Sequence, residues 1–452
     1  MKNESKLKSH SSFGSEVTIP PHHTSESDDD LGKKRSLSFS EKSITIKEDD
    51  DKNNNKKNEQ QKTDWSVKSK ALLKKYWFLL GLGFVILLAS QFPDVAKKGG
   101  YLHAEYSIKW GAVIIIFLIS GLSLRTKILA QTILRVRLHL LIQIINLVII
   151  PFFVFGLVLL LFKLKAPLSS LLLIGVVIAA STPTTVSSNV VMTKNAKGNE
   201  ASALMNAALG NVLGIFVSPA LVSTFQDPLL DATPEDESQN QVGGVVDFVS
   251  VLKQLGLTVL IPLIVGQMIQ WMFTEKVAKI KDQWRLSDIS SIALLLMVWS
   301  VFSDAVASGS FSAVTAKDII VVAIINAVFY ISFSLLCLFL ARLPLPSFIP
   351  TPQWVKNLRY SREDTVAVMY CGATKTVAMG VPLINVLYQN GDPGTIGVLS
   401  TPLLLYHVEQ LILGNLEVEF LKKWVLDGQK AKEQVLPTTN KESSTKHLEG
   451  DE

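Results

Sequence analysis

Between residues 76 and 420 the chain is built from apolar blocks of about 20 residues, nearly free of charge and separated by shorter polar stretches. A block of that length crosses a hydrocarbon core of about 30 Å at about 1.5 Å per helical residue. A soluble protein has to cover its surface with polar groups and cannot offer ten such blocks, and membrane strands would alternate apolar and polar positions. The pattern predicts an all-α membrane protein of ten transmembrane helices. They run roughly over 76–93, 107–124, 138–162, 168–193 and 200–225, then 251–273, 287–306, 318–341, 364–388 and 395–419.

The polar stretch QDPLLDATPEDESQNQ (226–241) divides these spans five and five. An odd number per half inserts the second half upside down, the arrangement of an inverted repeat. The fourth span of each half is interrupted in a comparable way. In the first half the apolar run stops at Ala180 and gives way to Ser181, Thr182, Pro183, Thr184, Thr185, Ser187, Ser188 and Asn189. Pro183 removes a backbone donor and clashes with the preceding turn. In the second half Gly372 interrupts the span, followed by Thr374, Lys375 and Thr376. Broken helices are tolerated at membrane depth only where the freed backbone groups find protein or water. Two matched breaks therefore predict two crossing discontinuous helices and a polar cavity at their meeting point, with half-helix N-termini facing it.

Charge orients the bundle. With the N-terminus inside, Lys and Arg concentrate in the inner connections at 123–137, 194–200, 275–286 and 342–364, and the acidic loop falls outside. Both termini are then cytoplasmic. The expected organisation is a disordered tail over 1–70, a first five-helix repeat over 71–225, an acidic outer loop over 226–250, a second repeat over 251–420 and a disordered tail over 421–452. Residues 1–70 hold only 12 apolar residues, too few to offset the entropy of ordering them. They contain KKRSLSFS (33–40), in which Ser36 and Ser38 follow basic residues and suit a basophilic kinase. The two cysteines, Cys337 and Cys371, lie inside apolar blocks, so no disulfide framework is expected.

A charge at the bilayer centre costs about 3 kcal/mol or more and normally faces a cavity or a partner. Lys375 and Glu409 are such charges, with His407 in the same run as Glu409, and a Lys375–Glu409 pair between the ninth and tenth spans is one expectation. The fifth span adds Asn206 and Asn211 among small residues that allow close packing. They serve either as bonds to the broken helix or as glue between helices. No catalytic order, metal cluster or phosphate loop stands out, so neither an enzyme nor a cofactor is expected. The basic loops are explained by topology and do not indicate nucleic acid.

The run PTTVSSNVVMTKNAKGNEASALMNAALGNVLGI (183–215) resembles a signature of the bile acid:sodium symporter family. So do CGATKTVAMGVPLI (371–384) and STPLLLYHVEQLILGN (400–415). The likeness covers roughly 76–420 and is closest to the sodium/bile acid cotransporter 7-like branch, whose fungal members are described as regulators of calcium homeostasis. The resemblance implies ten spans, a core and a panel domain, and two helices crossing at the breaks. It also implies two sodium ions, held by a Ser-Asn pair after the first break, hydroxyls on the fifth span, and an acid and an amide on the ninth. Ser188 and Asn189 match the pair. Ala203 and Ala207 stand where the hydroxyls are expected, with Asn206 the nearest substitute. The acid is missing near Tyr370 or Cys371, Thr374 stands near the amide position, and a lysine follows it.

Sodium needs oxygen ligands, and an ammonium in the crossover would repel it while supplying the same charge. Lys375 is thus expected to replace sodium, leaving transport sodium-independent and proton-linked through Lys375, His407 or Glu409. A calcium ion takes about six to eight oxygens, several of them carboxylates, so calcium is not the expected cargo. An anionic small solute is. Negative control of cytosolic calcium, which the resemblance implies, would then be indirect. The rival reading is a non-transporting regulator that restrains a calcium-influx protein. A calcium-channel or kinase partner and a homodimer are compatible with either. The plasma membrane is the compartment implied, with the Golgi or endoplasmic reticulum as the alternative.

Overall fold

The computed structural model describes residues 77–124, 134–233, 248–310, 314–343, 359–388 and 393–435. The expected disordered tail 1–70 with Ser36 and Ser38, the middle of the acidic loop and residues 436–452 lie outside them. All regular structure among the described residues is helical. The first half comprises α1 (Trp77–Gln91), α2 (Ala104–Ser123), α3 (Val136–Lys163), α4 (Ser170–Ser181), α5 (Ser187–Asn195) and α6 (Glu200–Ala232). The second comprises α7 (Val249–Met272), α8 (Thr274–Gln283), α9 (Leu286–Ala307), α10 (Ala316–Arg342), α11 (Arg362–Ala373), α12 (Val377–Leu387) and α13 (Pro393–Val435). Among the described residues, eight helices are long and apolar enough to cross a membrane, counting α11 and α12 as one, and α1 and α4 are shorter apolar helices.

Burial sorts these helices. The apolar window of α11–α12 is 94% buried, against 33% for α10. On α10, Ile320, Ile324, Val328, Ile331, Leu335 and Phe339 are all exposed. Their spacing of three and four residues makes one continuous outward stripe. A large apolar outer face around a polar, buried centre is the inverse of a soluble domain and suits a hydrocarbon surround.

Helix starts are fixed by side chains the sequence supplies. Asn199 caps α6 by accepting from the Ser202 amide at 3.0 Å, and Ser361 caps α11 by accepting from the Asp364 amide at 3.0 Å. Thr315 and Asp318 form a reciprocal capping box on α10. Arg135 then grips Asp364 through both carboxylate oxygens at 2.8 and 2.9 Å, and Asn199 donates to the same carboxylate at 2.7 Å. The starts of α3, α6 and α11 are thereby tied at one end of the bundle.

Two boundaries differ from expectation. The acidic outer loop was placed from residue 226, but α6 continues to Ala232 through Pro219 and Pro228. Val222, Phe225 and Leu229 are buried along one face, and Phe155 stacks on Phe225 at 4.2 Å, while Asp227 and Asp231 project outward. Asp227 and Asp231 belong to the exposed face of an amphipathic extension rather than to a loop. Likewise, residues 421–435, expected in the disordered tail, continue α13. At 43 residues this helix is about 65 Å long. Leu421 and Val425 are buried, and the Arg342 and Arg362 guanidiniums lie 5.7 and 5.1 Å from the Trp424 ring centre. Gln429 donates to Glu363 at 3.0 Å. The extension folds because it docks on the start of α11.

A close backbone approach joins α2 and α7. A methyl group built on Gly121 would strike the Leu263 carbonyl, and one on Gly266 the Leu118 carbonyl. In lipid, such small-residue contacts replace the hydrophobic effect as the means of association. Gly121→Leu is therefore expected to lower the melting temperature of the full-length protein in detergent and to cut the yield of monodisperse material. Gly156→Ala, at a position with no neighbour within 4 Å, is expected to leave both unchanged.

Candidate functional site

The site follows from backbone accounting. A helix end leaves its last carbonyls without partners, and at membrane depth each must be satisfied by protein. α4 ends at Ser181 and α5 begins at Ser187, while α11 ends at Ala373 and α12 begins at Val377. The segments between them, 182–186 and 374–376, are non-helical and meet. The Thr376 amide donates to the Pro183 carbonyl at 2.9 Å, and the Thr184 and Thr374 hydroxyls lie 2.8 Å apart.

Every freed carbonyl in 372–375 has a side-chain donor. Asn146 Nδ2 donates to Gly372 and Thr374, each at 3.0 Å. The Tyr406 hydroxyl donates to Ala373 at 2.7 Å. Gln410 Nε2 donates to the Lys375 carbonyl at 2.7 Å, and Gln410 Oε1 accepts from the Lys375 amide at 2.8 Å. The first break is satisfied in the same way. Lys375 Nζ donates to the Thr182 carbonyl at 3.0 Å, and Asn211 Nδ2 to the Thr184 carbonyl at 2.9 Å.

Lys375 Nζ also donates to the Asn146 carbonyl at 2.7 Å. That carbonyl is free for a reason visible in the chain. Residues Ile145–Ile149 of α3 form a π-helical turn in which the Ile150 amide donates to Ile145. In that register the Asn146 carbonyl faces residue 151, which is proline and has no N–H. The lysine ammonium thus bridges a carbonyl released by Pro151 in α3 and one released at the first break, with the side chain 1% exposed.

The structure assembles most, though not all, of the residues singled out from sequence. Thr184, Asn189, Thr374, Lys375 and Thr376 are at the crossing, and Asn189 Nδ2 donates to both threonine hydroxyls at 2.7 and 2.8 Å. Thr185 and Ser188 bond each other one turn away, at 3.3 Å. Ser187 is exposed and does not reach the crossing. Gly372 contributes its carbonyl, and a side chain there would strike Cys337 Sγ. Asn211 binds the first break. Asn206 does not; its Oδ1 lies 3.0 Å from His139 Nδ1, and Gln143 donates to its carbonyl at 3.0 Å, so it joins α6 to α3. His407 Nδ1 lies 2.8 Å from Gln410 Nε2 and supports the clamp on Lys375.

The expected Lys375–Glu409 pair is not formed. Tyr406 and Gln410 are one helical turn apart and face the break, which turns Glu409 about 80° away from their mean direction. Glu409 is half-buried, and its Oε2 has no hydrogen-bond partner among the described residues. The expected open cavity is also absent at the crossing itself, which is closed by the direct bonds above. Beside it, Lys375, Asn326 and Tyr406 share the wall of a mainly apolar cavity with about 10 Å³ for the centre of a water molecule, room for roughly one. Three residues at the site were passed over in the sequence: Asn146, Tyr406 and Gln410. Asn146 and Gln410 carried a signal, each being a polar side chain inside an apolar run, INLVI and LLLYHVEQL.

The donor set does not fit a sodium ion. Ala203 and Ala207, both fully buried, put methyl groups where the resemblance places hydroxyls, and Tyr370 and Cys371 supply no carboxylate. Two backbone carbonyls that could coordinate a cation are already bound to the Lys375 ammonium.

A bundle with an apolar exterior and buried irregular backbone at its centre defines a multi-pass membrane protein. The chain matches the SBF-like CPA transporter family over residues 76–423 and belongs to it, as the three motifs lead one to expect. It is 36% identical to the solute carrier RCH1 of Candida albicans over 80% of this chain and 92% of that one. Against the solute carrier RCH1 of Saccharomyces cerevisiae it is 35% identical over 80% and 87%. Against the sodium/bile acid cotransporter 7 of Danio rerio it is 33% identical over 80% and 97%.

Asn189→Leu keeps the volume at the crossing and removes the donor shared by Thr184 and Thr374. It is expected to destabilise the protein by about 1–3 kcal/mol, read as a lower melting temperature. Ser187→Ala, on the exposed side of α5, is expected to stay within about 0.5 kcal/mol.

Proposed function

We propose that this chain is a sodium-independent carrier of an anionic small solute, working by alternating access around the crossing of the two broken helices. The observation that carries this reading is the ammonium of Lys375. It is buried at the crossing and ligated by two backbone carbonyls in the manner of a bound cation. A lysine side chain among hydroxyls and helix N-termini suits an anion, and the absence of a carboxylate among the described residues at the crossing disfavours calcium as cargo.

The ten spans form two inverted repeats, 71–225 and 251–420, with both termini cytoplasmic. Support comes from the matched interruptions in the fourth span of each half and from the bias of Lys and Arg to one side. Eight long apolar helices together with two shorter ones, α1 and α4, accommodate that topology. The chain acts at the plasma membrane and lowers cytosolic calcium indirectly, through the solute it moves. This last step rests on the resemblance to fungal regulators of calcium homeostasis.

A second reading is a non-transporting regulator that restrains a calcium-influx protein. It draws on the helical extension of α13, whose residues Phe420 and Leu426 are exposed beyond the last apolar span.

Lys375→Ala is expected to abolish the effect on cytosolic calcium in cells lacking the endogenous chain, measured with a calcium reporter, at unchanged surface expression. Full activity of Lys375→Ala, together with loss on deleting residues 1–70, would favour the regulator. Uptake by the wild type is expected to be equal in sodium and choline buffers. A strict sodium requirement would overturn the role given to Lys375.

A further inference from the structure

Two buried amide oxygens beside the crossing have nothing to accept from. On α3, Gln143 and Asn146 are three residues apart and share a face, with 7% and 0% exposure. The orientation of each amide is fixed, because its nitrogen donates to backbone carbonyls, which only accept. Gln143 Nε2 donates to the Asn206 carbonyl at 3.0 Å, and Asn146 Nδ2 to Gly372 and Thr374. The oxygens therefore cannot exchange places with the nitrogens, and neither Gln143 Oε1 nor Asn146 Oδ1 has a hydrogen-bond partner among the described residues. They flank the Thr184–Thr374 contact. Asn146 is on the Thr374 side, and Gln143 is on the Thr184 side, where a methyl built on Gly210 would lie 3.0 Å from Gln143 Oε1 and 3.2 Å from Thr184 Cγ2.

A buried acceptor left unpaired is destabilising, and two of them on one helix face beside the crossing constitute a preorganised demand for donors. We propose that Gln143 Oε1 and Asn146 Oδ1 are the specificity-determining acceptors of the solute site, and that they select organic anions that also carry hydroxyl or N–H donors over anions that lack them. This rests on the anion-carrier reading above and deepens it. Lys375 and the threonine hydroxyls receive the acidic group when the crossing opens, and the α3 amides receive the solute's donors. A site built around such acceptors discriminates strongly, because an analogue without the donor leaves them buried and unpaired.

The test uses the full-length protein in lipid nanodiscs and measures the rise in melting temperature with two matched pairs, malate against succinate and glycerol 3-phosphate against propyl phosphate. In at least one pair, the hydroxylated member is expected to half-saturate at a concentration ten-fold or more below its partner. Gln143→Leu, and separately Gly210→Ala, which places a methyl against Gln143 Oε1, are expected to reduce that ratio to below three-fold while binding of the unhydroxylated member persists. Equal binding of both members by the wild type would overturn the inference, leave the anion carrier standing, and assign the two oxygens to buried water. No stabilisation by any of the four anions would overturn the carrier reading and this inference with it.

Discussion

The bond on which the rest of the site depends joins Lys375 Nζ to the carbonyls of Asn146 and Thr182. Burying an ammonium is unfavourable unless it is fully hydrogen-bonded, and leaving a carbonyl unpaired at membrane depth is unfavourable as well. The structure solves both problems with one contact. Proline makes it necessary on both sides: Pro151 deprives the π-turn of α3 of a donor, and Pro183 stands in the break after α4. The group that joins the two irregular segments is supplied by the chain itself.

From that contact the architecture can be followed outward. α11 and α12 carry the lysine and are the most enclosed part of the bundle. α3 and α13 are recruited to the second break by Asn146, Tyr406 and Gln410, which together satisfy four successive carbonyls. α6 is recruited to the first break by Asn211. The outer helices α2 and α7 approach each other closely at Gly121 and Gly266. The bundle therefore has a centre held by directional bonds and a periphery held by shape.

Much of this was legible in the chain. The blocks gave the positions of the helices, Pro183 marked the first interruption, Gly372 foreshadowed the second although it lies within α11 and the break begins at Thr374, and Lys375 stood out as a charge in the wrong place. Other features were not legible for definite reasons. The continuation of α6 past residue 226 was hidden because Asp227 and Asp231 made an amphipathic face look like a loop. The continuation of α13 was hidden because its order comes from docking on Arg362 and Glu363, which are distant in sequence. Glu409 was paired with Lys375 on charge alone, whereas helical phase turns it away from the break that Tyr406 and Gln410 face.

What the sequence determined by itself was the helical membrane class, the two breaks, and the presence of a lysine in the second of them. These are local properties: length, hydropathy, proline and charge act at the position where they occur. What only the tertiary structure decided was which carbonyls the lysine binds, which asparagine serves the break and which serves as glue, and which polar residues of the third and tenth spans close the site. Those outcomes depend on the rotation and depth of helices about their axes. Packing between distant segments sets these, and no stretch of chain encodes them alone.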